Sequence, residues 1–435
     1  MSVARPLRDL PRLCRGRAHL LVHLVLAAQT AMYGVLCMAD TDLGPLRAVA
    51  TSGMPVPGGG TFDRFHVEGQ PAITAVNDRG QVAFFATIAR ARASEGMFLG
   101  DGRRIEVIAL TGGPAPGGGT LASFATHPVP SLNRAGAVAF SASIAGGKAS
   151  EGLFLSSNQR LRAIALSGTA ALSIPGGVFS GFQAPSLNDK GEMVFLAGVR
   201  RGRDSLEAIY LYQAGKLRKI AAAGEPAPGG GSYVAFGVPA LNNKTEIAFP
   251  AVIDDGPVSG GIFVAAGNEI RMAVGVGTAE PHGGIFAQFS DRVSINNAGA
   301  ILINAVLKLG PVDHALFVVQ GNEVRSVAAV SQATPSISRF SALGLWPSLS
   351  DDGTVAFIAA ADDSAGTVGL YQADLHQTKR RAAIGAPLVG GGSLASFPLY
   401  PAVSSSPSGT VAFAVVGEAS NESFEAILIA PSSQK

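Results

Sequence analysis

Cysteine is almost absent from the chain. Its only two cysteines, Cys14 and Cys37, lie within the first 40 residues. The rest of the chain can therefore form no disulfide and holds neither a thiolate nucleophile nor a cysteine-ligated metal site. Charge is also sparse, at 15% of residues with a net charge of +2. Residues 41–435 alone carry about −1 with the signs interspersed, so no basic face for nucleic acid is expected.

The signatures of common enzyme classes are missing as well. The chain has no Gly-x-Ser-x-Gly elbow, no His-Glu-x-x-His zinc motif and no dinucleotide-binding fingerprint. Its histidines are scattered without a pattern of nearby carboxylates, which favours neither a metal site nor a cofactor. No stretch beyond about residue 40 has the pattern of a capped helix of ten or more residues. What remains is a chain of short apolar runs separated by glycine.

One motif, Asn-x-x-Gly-x-x-Ala-Phe, is repeated along the chain. Its seven copies are separated by 54 to 56 residues. They begin at Asn77, Asn133, Asn188, Asn242, Asn296, Ser350 and Ser406. A fixed period of this length indicates a solenoid, a propeller or an array.

Each copy of the motif predicts a tight turn. The Asn or Ser side chain can bond the backbone two residues on, and Gly adopts the positive φ that closes a hairpin. The predicted structural turn residues are Asn77, Gly80, Asn133, Gly136, Asn188, Gly191, Asn242, Asn296, Gly299, Gly353 and Gly409. The fourth copy has Thr245 in place of Gly, so we expect a strained or differently formed turn there.

Short runs rich in Val, Ile, Phe and Ala follow each turn, as at residues 193–199 and 208–211. Each repeat therefore predicts a four-stranded antiparallel meander. Seven such units predict an all-β fold, a seven-bladed β-propeller, because each small sheet has two apolar faces that only its neighbours can cover. An open β-solenoid is the alternative, although its repeats are usually shorter and its strands parallel.

The two ends of the repeat region predict how the ring closes. The last repeat ends on its third strand, at residues 426–430. Residues 46–50 resemble the fourth strand of another repeat, at residues 161–165, and have no repeat of their own. We therefore expect the N-terminal strand to complete the last blade, which removes the free strand edges.

Residues 1–40 differ in composition from the rest. Five arginines precede an apolar run at residues 20–38, and small residues stand before Asp40. This pattern predicts an export signal, with an uncleaved membrane anchor or a misassigned start codon as alternatives. Residues 41–435 are then expected to be a monomeric propeller without a membrane span, in the periplasm or outside a bacterial cell.

A second recurring motif, Pro-x-Pro-Gly-Gly-Gly, precedes the first strand of several repeats, most clearly at residues 55–60, 114–119 and 226–231. Glycine-rich backbone can cradle phosphate, but neither the helix nor the Lys of a P-loop follows. The alternative is a rigid Pro turn followed by Gly where the structure is crowded.

The repeats resemble those of known families. The seventh copy, Ser-Pro-Ser-Gly-Thr-Val-Ala-Phe at residues 406–413, resembles the propeller repeat of TolB-type periplasmic proteins. The sixth, Ser-Asp-Asp-Gly-Thr-Val-Ala-Phe at residues 350–357, resembles the Asp-box of sialidases. Residues 44–430 as a whole are most similar to the bacterial tandem-repeat family named for the Asn-x-x-Gly-x-x-Ala-Phe motif. That resemblance implies an often exported protein and assigns no activity.

Candidate binding residues lie on one predicted face. In a propeller, the loops between the second and third strands share a face with the connections between blades, and ligand sites often gather there. Four repeats carry Glu at the end of this loop, and such carboxylates can bind cations or sugar hydroxyls. Alternatively, each accepts hydrogen bonds from the Gly-rich loop of the neighbouring blade. The candidates are Glu95, Glu151, Glu207, Glu425, Arg200, Arg201, Arg203, His66 and His127.

The function predicted from these observations is non-catalytic binding of a carbohydrate ligand or a protein partner through these rim loops. The alternative is a propeller enzyme acting on glycans, like a sialidase or a lyase. The three arginines at residues 200–203 favour that alternative, whereas the lack of an Arg cluster paired with Tyr and a carboxylate opposes it. Trp346, the only tryptophan, is expected in the core.

Overall fold

A computed structural model describes residues 46–331, 339–362, 367–374, 376–389 and 391–432. These residues form seven separate antiparallel sheets and no helix. The inner strands of all seven sheets line one axial cavity. The predicted seven-bladed β-propeller is therefore confirmed, and the predicted leader at residues 1–40 lies outside the described residues. No helix in the described part is long and apolar enough to cross a membrane.

The first four blades follow the chain in order. Blade 1 contains β2 (Thr61–Phe62), β3 (Ala75–Val76), β4 (Val82–Ala89), β5 (Glu95–Gly100) and β6 (Ile105–Leu110). Blade 2 contains β7 (Thr120–Ser123), β8 (Ser131–Leu132), β9 (Val138–Ala145), β10 (Glu151–Ser157) and β11 (Arg160–Leu166). Blade 3 contains β12 (Gly177–Phe182), β13 (Ser186–Leu187), β14 (Met193–Arg201), β15 (Asp204–Gln213) and β16 (Lys216–Ala222). Blade 4 contains β17 (Ser232–Phe236), β18 (Ala240–Leu241), β19 (Ile247–Asp254), β20 (Gly260–Ala266) and β21 (Glu269–Gly275).

The last three blades complete the ring. Blade 5 contains β22 (Ile285–Phe289), β23 (Ser294–Ile295), β24 (Ile301–Lys308), β25 (His314–Gln320) and β26 (Glu323–Ala329). Blade 6 contains β27 (Phe340–Leu343), β28 (Ser348–Leu349), β29 (Val355–Ala361), β30 (Val368–Ala373) and β31 (Thr378–Ala383). Blade 7 contains β32 (Ser393–Ser396), β33 (Val403–Ser405), β34 (Val411–Ala419), β35 (Glu422–Ala430) and β1 (Arg47–Thr51).

The innermost strand of each blade is split into two short pieces. In blade 1, β2 pairs with the end of β4 and β3 pairs with its start. Part of the cause is local sequence, because four blades have Pro directly before the second piece and Pro cannot donate to a strand ladder. These prolines are Pro130, Pro185, Pro239 and Pro347. The predicted meander is correct in strand order, and this interruption is an addition to it.

The Ala-Phe end of the motif packs the blades against each other. Phe84 of β4 is 1% exposed and packs toward blade 7, while its neighbour Phe85 packs toward blade 2. Within blade 1 the ring of Phe84 stacks on Phe98 with centroids 5.6 Å apart. Burying one such side chain stabilises the fold by about 1.5–3 kcal/mol. The second strand is therefore apolar on both faces instead of alternating.

The motif's Asn links each turn to the next blade. The Oδ1 of Asn188 accepts the backbone N–H groups of Lys190 and Glu192 at 3.1 and 3.0 Å, which forms the turn. Its Nδ2 donates to the carbonyl oxygen of Asn242 in blade 4 at 3.0 Å. The same inter-blade bond runs from Asn77 to Asn133, Asn133 to Asn188, Asn242 to Asn296 and Asn296 to Ser350. One side chain thus specifies both the hairpin and its attachment.

The fourth turn is strained, as its sequence predicts. Thr245 has a φ of 66°, where the other copies have Gly with φ between 70° and 88°. A β-branched residue in this region is unfavourable. The Oγ1 of Thr245 donates to the carboxylate of Glu192 in blade 3 at 2.7 Å, which offsets part of that cost. The chain keeps the same turn at Thr245 by adding a bond between blades.

The third Gly of the Pro-x-Pro-Gly-Gly-Gly motif faces crowded backbone. A Cβ on Gly60 would lie 2.5 Å from the carbonyl oxygen of Ala89, and one on Gly119 would lie 2.4 Å from that of Ala145. Both glycines have positive φ. The close approach is between the first and second strands of one blade, so the glycine has a steric role there.

The N-terminal strand closes the ring. β1 pairs antiparallel with β35, with Arg47 opposite Ile429 and Thr51 opposite Ala426. Sheet order β1-β35-β34-β32 makes β1 the outer strand of blade 7. The guanidinium of Arg47 also donates to the carbonyl oxygen of Asp101 in blade 1. The predicted closure by the N-terminal strand is confirmed.

Removing residues 41–52 should destabilise blade 7 most. The deletion takes away the buried side chains of Val49 and Ala50 and leaves the edge of β35 unpaired. We expect a loss of several kcal/mol and a fall in melting temperature on the order of 10 °C. Thermal melting of the deletion, compared with a chain that begins at residue 43 and keeps β1, measures this. Equal melting temperatures would refute the role of β1.

Asn188→Ser should remove the inter-blade bond and keep the turn, because Ser406 forms the same turn with its Oγ accepting the N–H of Thr410. We expect Asn188→Ser to lower the free energy of unfolding by about 1 kcal/mol and Asn188→Ala, which loses every one of these bonds, by about 2–3 kcal/mol. Chemical denaturation measures both. Equal losses would show that the amide bond to blade 4 contributes nothing.

Candidate functional site

The two ends of the axial cavity are formed by different segments of the repeats. The motif turns lie at one end, where the second piece of each innermost strand leads into the second strand. The rim face, defined by the loops between second and third strands and by the Gly-rich connections, lies at the other. In blade 1 these segments are residues 90–94 and 55–60, and β2 and the end of β4 bring them together. The predicted sharing of one face by these loops agrees with this topology.

The four predicted rim glutamates link neighbouring blades. Each lies in the third strand and accepts a backbone N–H from the first-strand segment of the next blade, at 2.7 to 2.9 Å. The pairs are Glu95 with Phe124, Glu151 with Phe182, Glu207 with Phe236, and Glu425 with Phe65. The donor is this strand segment and not the Gly-rich loop. The geometry therefore gives these carboxylates a structural role at four of the seven blade junctions.

The carboxylate of Glu151 shows how little space surrounds such a group. Burial raises its pKa, while the hydrogen bond from the N–H of Phe182 acts in the opposite direction. A Cβ on Gly181 would lie 3.2 Å from its Oε2, so a side chain at that position would crowd the carboxylate. Within the described residues, no three His, Cys, Asp or Glu side chains come close enough together to hold a metal ion.

His66 lies at the seam between blades 7 and 1. Its Nδ1 is 3.2 Å from Oε2 of Glu425, the same oxygen that accepts the N–H of Phe65. The hydrogen bond to Glu425, together with the charge of that carboxylate, raises the pKa of His66, and burial opposes the shift. Arg64 and Arg90 are exposed and line a shallow groove together with Glu425. The bond between His66 and Glu425 therefore links blade 1 to blade 7, where the ring closes.

The other predicted site residues lie at two separate places, in blades 2 and 3. Arg200, Arg201 and Arg203 are exposed at the tip of the β14–β15 hairpin in blade 3. His127 is partly buried in blade 2, and burial lowers its pKa. None of these four side chains lines the axial cavity. The structure does not bring them together with the rim glutamates.

The axial cavity has a volume of about 260 Å³ and is walled by the second pieces of the innermost strands. The first residue of this piece, or its middle residue in blade 7, is Ser in five blades, namely Ser131, Ser186, Ser294, Ser348 and Ser404. The Oγ atoms of Ser131 and Ser348 accept N–H groups from the next blade at 2.9 Å each. A hydroxyl that accepts in this way still has its own proton to donate. The wall therefore presents hydroxyl donors.

The repeat is broken at one position of this wall. Two residues before the Ser position, five blades carry small or aliphatic residues, namely Ile73, Val129, Ala184, Val238 and Ala402. Blade 5 has Arg292 and blade 6 has Trp346 at the equivalent position, and both line the cavity. Among the described lining residues, Arg292 is the only charged one. Two neighbouring blades thus place a cation and an indole where the other five place aliphatic groups.

The guanidinium of Arg292 makes no hydrogen bond or ion pair with any described residue. Burial lowers the pKa of Arg292, and the negative charge of the adjacent Asp291 acts against that shift. Arginine nevertheless stays protonated in proteins. Arg292 therefore presents a cation to the cavity, with all of its donors available.

Trp346 lies in the cavity wall and not in a blade core, where the sequence suggested it. Its Nε1–H is enclosed and has no acceptor within the described residues. The repeat alignment contains the signal that finds both residues, since Arg292 and Trp346 replace aliphatic residues at one repeat position. Arg292 lies four residues before Asn296 and Trp346 four residues before Ser350, the same spacing as in the other repeats, so this exception can be read from the sequence.

Asn304 and His314 fix the segment that carries Trp346. The Nδ2 of Asn304 in blade 5 donates to the carbonyl oxygens of Gly344 and Leu345 in blade 6, at 3.1 and 3.2 Å. The Nε2 of His314 bonds to its Oδ1, and burial lowers the pKa of His314. His314 occupies the strand position that Glu holds in four other blades. A neutral His–Asn pair therefore replaces the glutamate link where the cavity is asymmetric.

At its other end the cavity opens to a polar mouth formed by the motif turns. The second residue of each of four successive turns donates its N–H to the side chain at the same position in the next turn. The N–H groups of Arg134, Asp189, Asn243 and Asn297 bond to Oδ1 of Asp189, Asn243, Asn297 and Asp351, at 2.7 to 2.8 Å. These carboxylates and amides already accept hydrogen bonds from the backbone of the neighbouring turn, so their role at the mouth is structural.

The fold and its cavity define this protein as a seven-bladed β-propeller with an axial pocket of small-molecule size. The chain belongs to DUF7453, a family of unknown function, which matches it over residues 27–309 and 203–426. No curated protein matches the chain.

Several solved structures are similar to this chain at low identity. TolB from Acinetobacter baumannii is 14% identical, with a TM-score of 0.36 over 70% of this chain and 66% of TolB, just under two thirds of its length. Oligogalacturonate lyase from Vibrio parahaemolyticus is 10% identical, with a TM-score of 0.49 over 90% of this chain and 100% of the lyase. The Hadza microbial sialidase Hz136 is 10% identical, with a TM-score of 0.37 over 79% of this chain and 73% of the sialidase.

His66→Gln should change how stability depends on pH. Because the pKa of His66 is raised above its ordinary 6.5, protonated His66 stabilises the fold fully below that value, and this stabilisation is lost as pH rises through the folded pKa. The variant should therefore be less stable than the parent near pH 6 and equal to it near pH 9, as measured by chemical denaturation.

His127→Gln is the matched control, because burial lowers the pKa of His127 and its protonation opposes folding. This variant should gain stability relative to the parent as pH falls below about 6.5. If both variants followed the parent at every pH, the bond between His66 and Glu425 would have no energetic role.

Proposed function

We propose that this protein is a non-catalytic binding propeller that holds a small ligand in its axial cavity, beside blades 5 and 6. The observation that carries the proposal is Arg292, a cation that lines the cavity and has no partner among the described residues. We further propose that it is exported, to the periplasm or the cell exterior, and belongs to the tandem-repeat family with the Asn-x-x-Gly-x-x-Ala-Phe motif.

The energetic argument starts from the cost of Arg292. Arg292 is only partly exposed and unpaired, and partial removal of an unpaired cation from water is unfavourable. The five aliphatic residues at the equivalent position show that the fold does not need a charge there. A residue that destabilises the empty protein and that the fold could replace is typical of a binding site. An anionic ligand would pair with the guanidinium and remove that cost.

The lining chemistry supports binding over catalysis. General acid–base chemistry on glycans uses paired carboxylates, whereas the described residues that line the cavity include no Asp, Glu or His. They offer hydroxyls, prolines, aliphatic groups, Asn304, Trp346 and Arg292. The rim glutamates bond to backbone of the next blade. We therefore place the ligand in the cavity and regard the rim loops as its surroundings.

Arg292→Met should stabilise the empty protein. The substitution removes an unpaired charge and keeps an apolar side chain of similar reach, so we expect the free energy of unfolding to rise by about 1–3 kcal/mol. Arg203→Met, at an exposed hairpin tip, should change it by less than about 0.5 kcal/mol. Chemical denaturation measures both. A marked loss of stability in Arg292→Met would mean that Arg292 has a structural partner.

A ligand screen on residues 41–435 tests the proposed function directly. Trp346 is the only tryptophan of the chain and lines the cavity, so its fluorescence reports occupancy at that place. We expect a small molecule from a metabolite library to shift the Trp346 emission and raise the melting temperature of the parent and of Arg203→Met, but not of Arg292→Met. Ligands that raise the melting temperature equally in all three proteins would place binding elsewhere.

A further inference from the structure

We infer that the ligand is a small hydroxylated monocarboxylate of single-sugar size, such as a sugar acid, whose carboxylate pairs with Arg292. This inference rests on the proposed function and adds the chemical class of the ligand. It depends on three properties of the cavity wall, namely its charge, its balance of donors and acceptors, and its volume.

Charge comes first. Arg292 is the only charged residue among the described lining residues, and Asp291 stands next to it in the chain. Asp291 is exposed and does not line the cavity, so the single guanidinium of Arg292 can balance one negative charge and would leave a dianion such as phosphate under-neutralised. The planar guanidinium also matches a carboxylate in a two-bond, side-by-side arrangement. The charge of the wall therefore favours a monocarboxylate.

The second property is the set of hydrogen-bond donors and acceptors that the cavity wall presents. Beyond Arg292, the wall offers serine hydroxyls that accept N–H groups from the next blade and retain their own protons, as at Ser131 and Ser348. The side-chain amide of Asn304 is already engaged on both its oxygen and its nitrogen. The side-chain donors of Arg292, Ser131 and Ser348 suit a ligand that carries acceptor oxygens in addition to its carboxylate.

Volume comes third. About 260 Å³ lies slightly below the roughly 300–1,000 Å³ of typical small-molecule sites. This space suits one sugar-sized molecule and is too small for an oligosaccharide. Hydroxyl groups on that molecule would meet the seryl wall, and its carbon skeleton would meet Trp346 and the aliphatic residues of the other blades.

The test compares a sugar acid with its neutral counterpart. Residues 41–435 and the variants Arg292→Met, Arg292→Lys and Arg203→Met are titrated with D-glucuronate, D-gluconate, D-glucose and inorganic phosphate. Trp346 emission and isothermal titration calorimetry are the two readouts. Melting curves establish that each variant is folded.

We expect at least one of the two sugar acids to bind the parent at least about tenfold more tightly than glucose and phosphate, because a charge-assisted carboxylate pair adds this much discrimination. Arg292→Met should weaken binding of that acid by about 10- to 100-fold. Arg292→Lys should have an intermediate effect, since it keeps the charge and loses the planar fork. Arg203→Met should bind like the parent.

Other results would refute this inference, and they differ in whether they also refute the proposed function. Equal binding of glucose and the acids, or tighter binding of phosphate, would refute the monocarboxylate while keeping a ligand in the cavity. Absence of acid binding at millimolar concentration, with a Trp346 response to a different library compound, would do the same. Absence of any Trp346 response to every compound would refute both the ligand class and the axial site.

Discussion

The propeller depends on one side chain that performs two tasks. The amide of each motif Asn forms the turn through its oxygen and bonds to the neighbouring blade through its nitrogen, as Asn188 does with Asn242. Because the two bonds share one buried group, the hairpin and its place in the ring are specified together. The same economy explains why the motif repeats at nearly constant spacing. Each unit must place its turn at the same level along the propeller axis as the turn before it. The apolar second strand that follows the turn must also pack against a neighbouring blade on each of its faces.

Departures from the repeat separate structural from functional positions. Where blades 1 to 4 meet, and where blade 7 meets blade 1, a Glu of one blade holds the backbone of the next. Blade 5 replaces that link with Asn304 and His314, and blades 5 and 6 also carry Arg292 and Trp346 in the cavity wall. The regular half of the ring contains the glutamate links and the N-terminal closure. The irregular half contains Arg292 and Trp346, the residues of the proposed binding site.

The sequence predicts the fold far better than the site. Period, turn residues, closure by residues 46–50 and strain at Thr245 all follow from local rules that act within one repeat. The rim glutamates were also visible as a recurring feature, but whether a recurring carboxylate faces solvent or the next blade depends on packing between repeats. Arg292 and Trp346 stand four residues before Asn296 and Ser350, as the aliphatic residues of the other blades do before their motif copies, so the sequence alone shows that the two residues are equivalent. It does not show that this position faces the axial cavity, because that depends on how the seven innermost strands are arranged around the axis.

Collisional quenching of Trp346 by ions of opposite charge tests the central claim most directly, because it requires no knowledge of the ligand. If Arg292 presents an unpaired cation to the cavity, iodide should quench the single tryptophan of the parent much more strongly than caesium does. The difference should disappear in Arg292→Met. Equal quenching by the two ions in the parent, or an iodide preference that survives in Arg292→Met, would contradict the account.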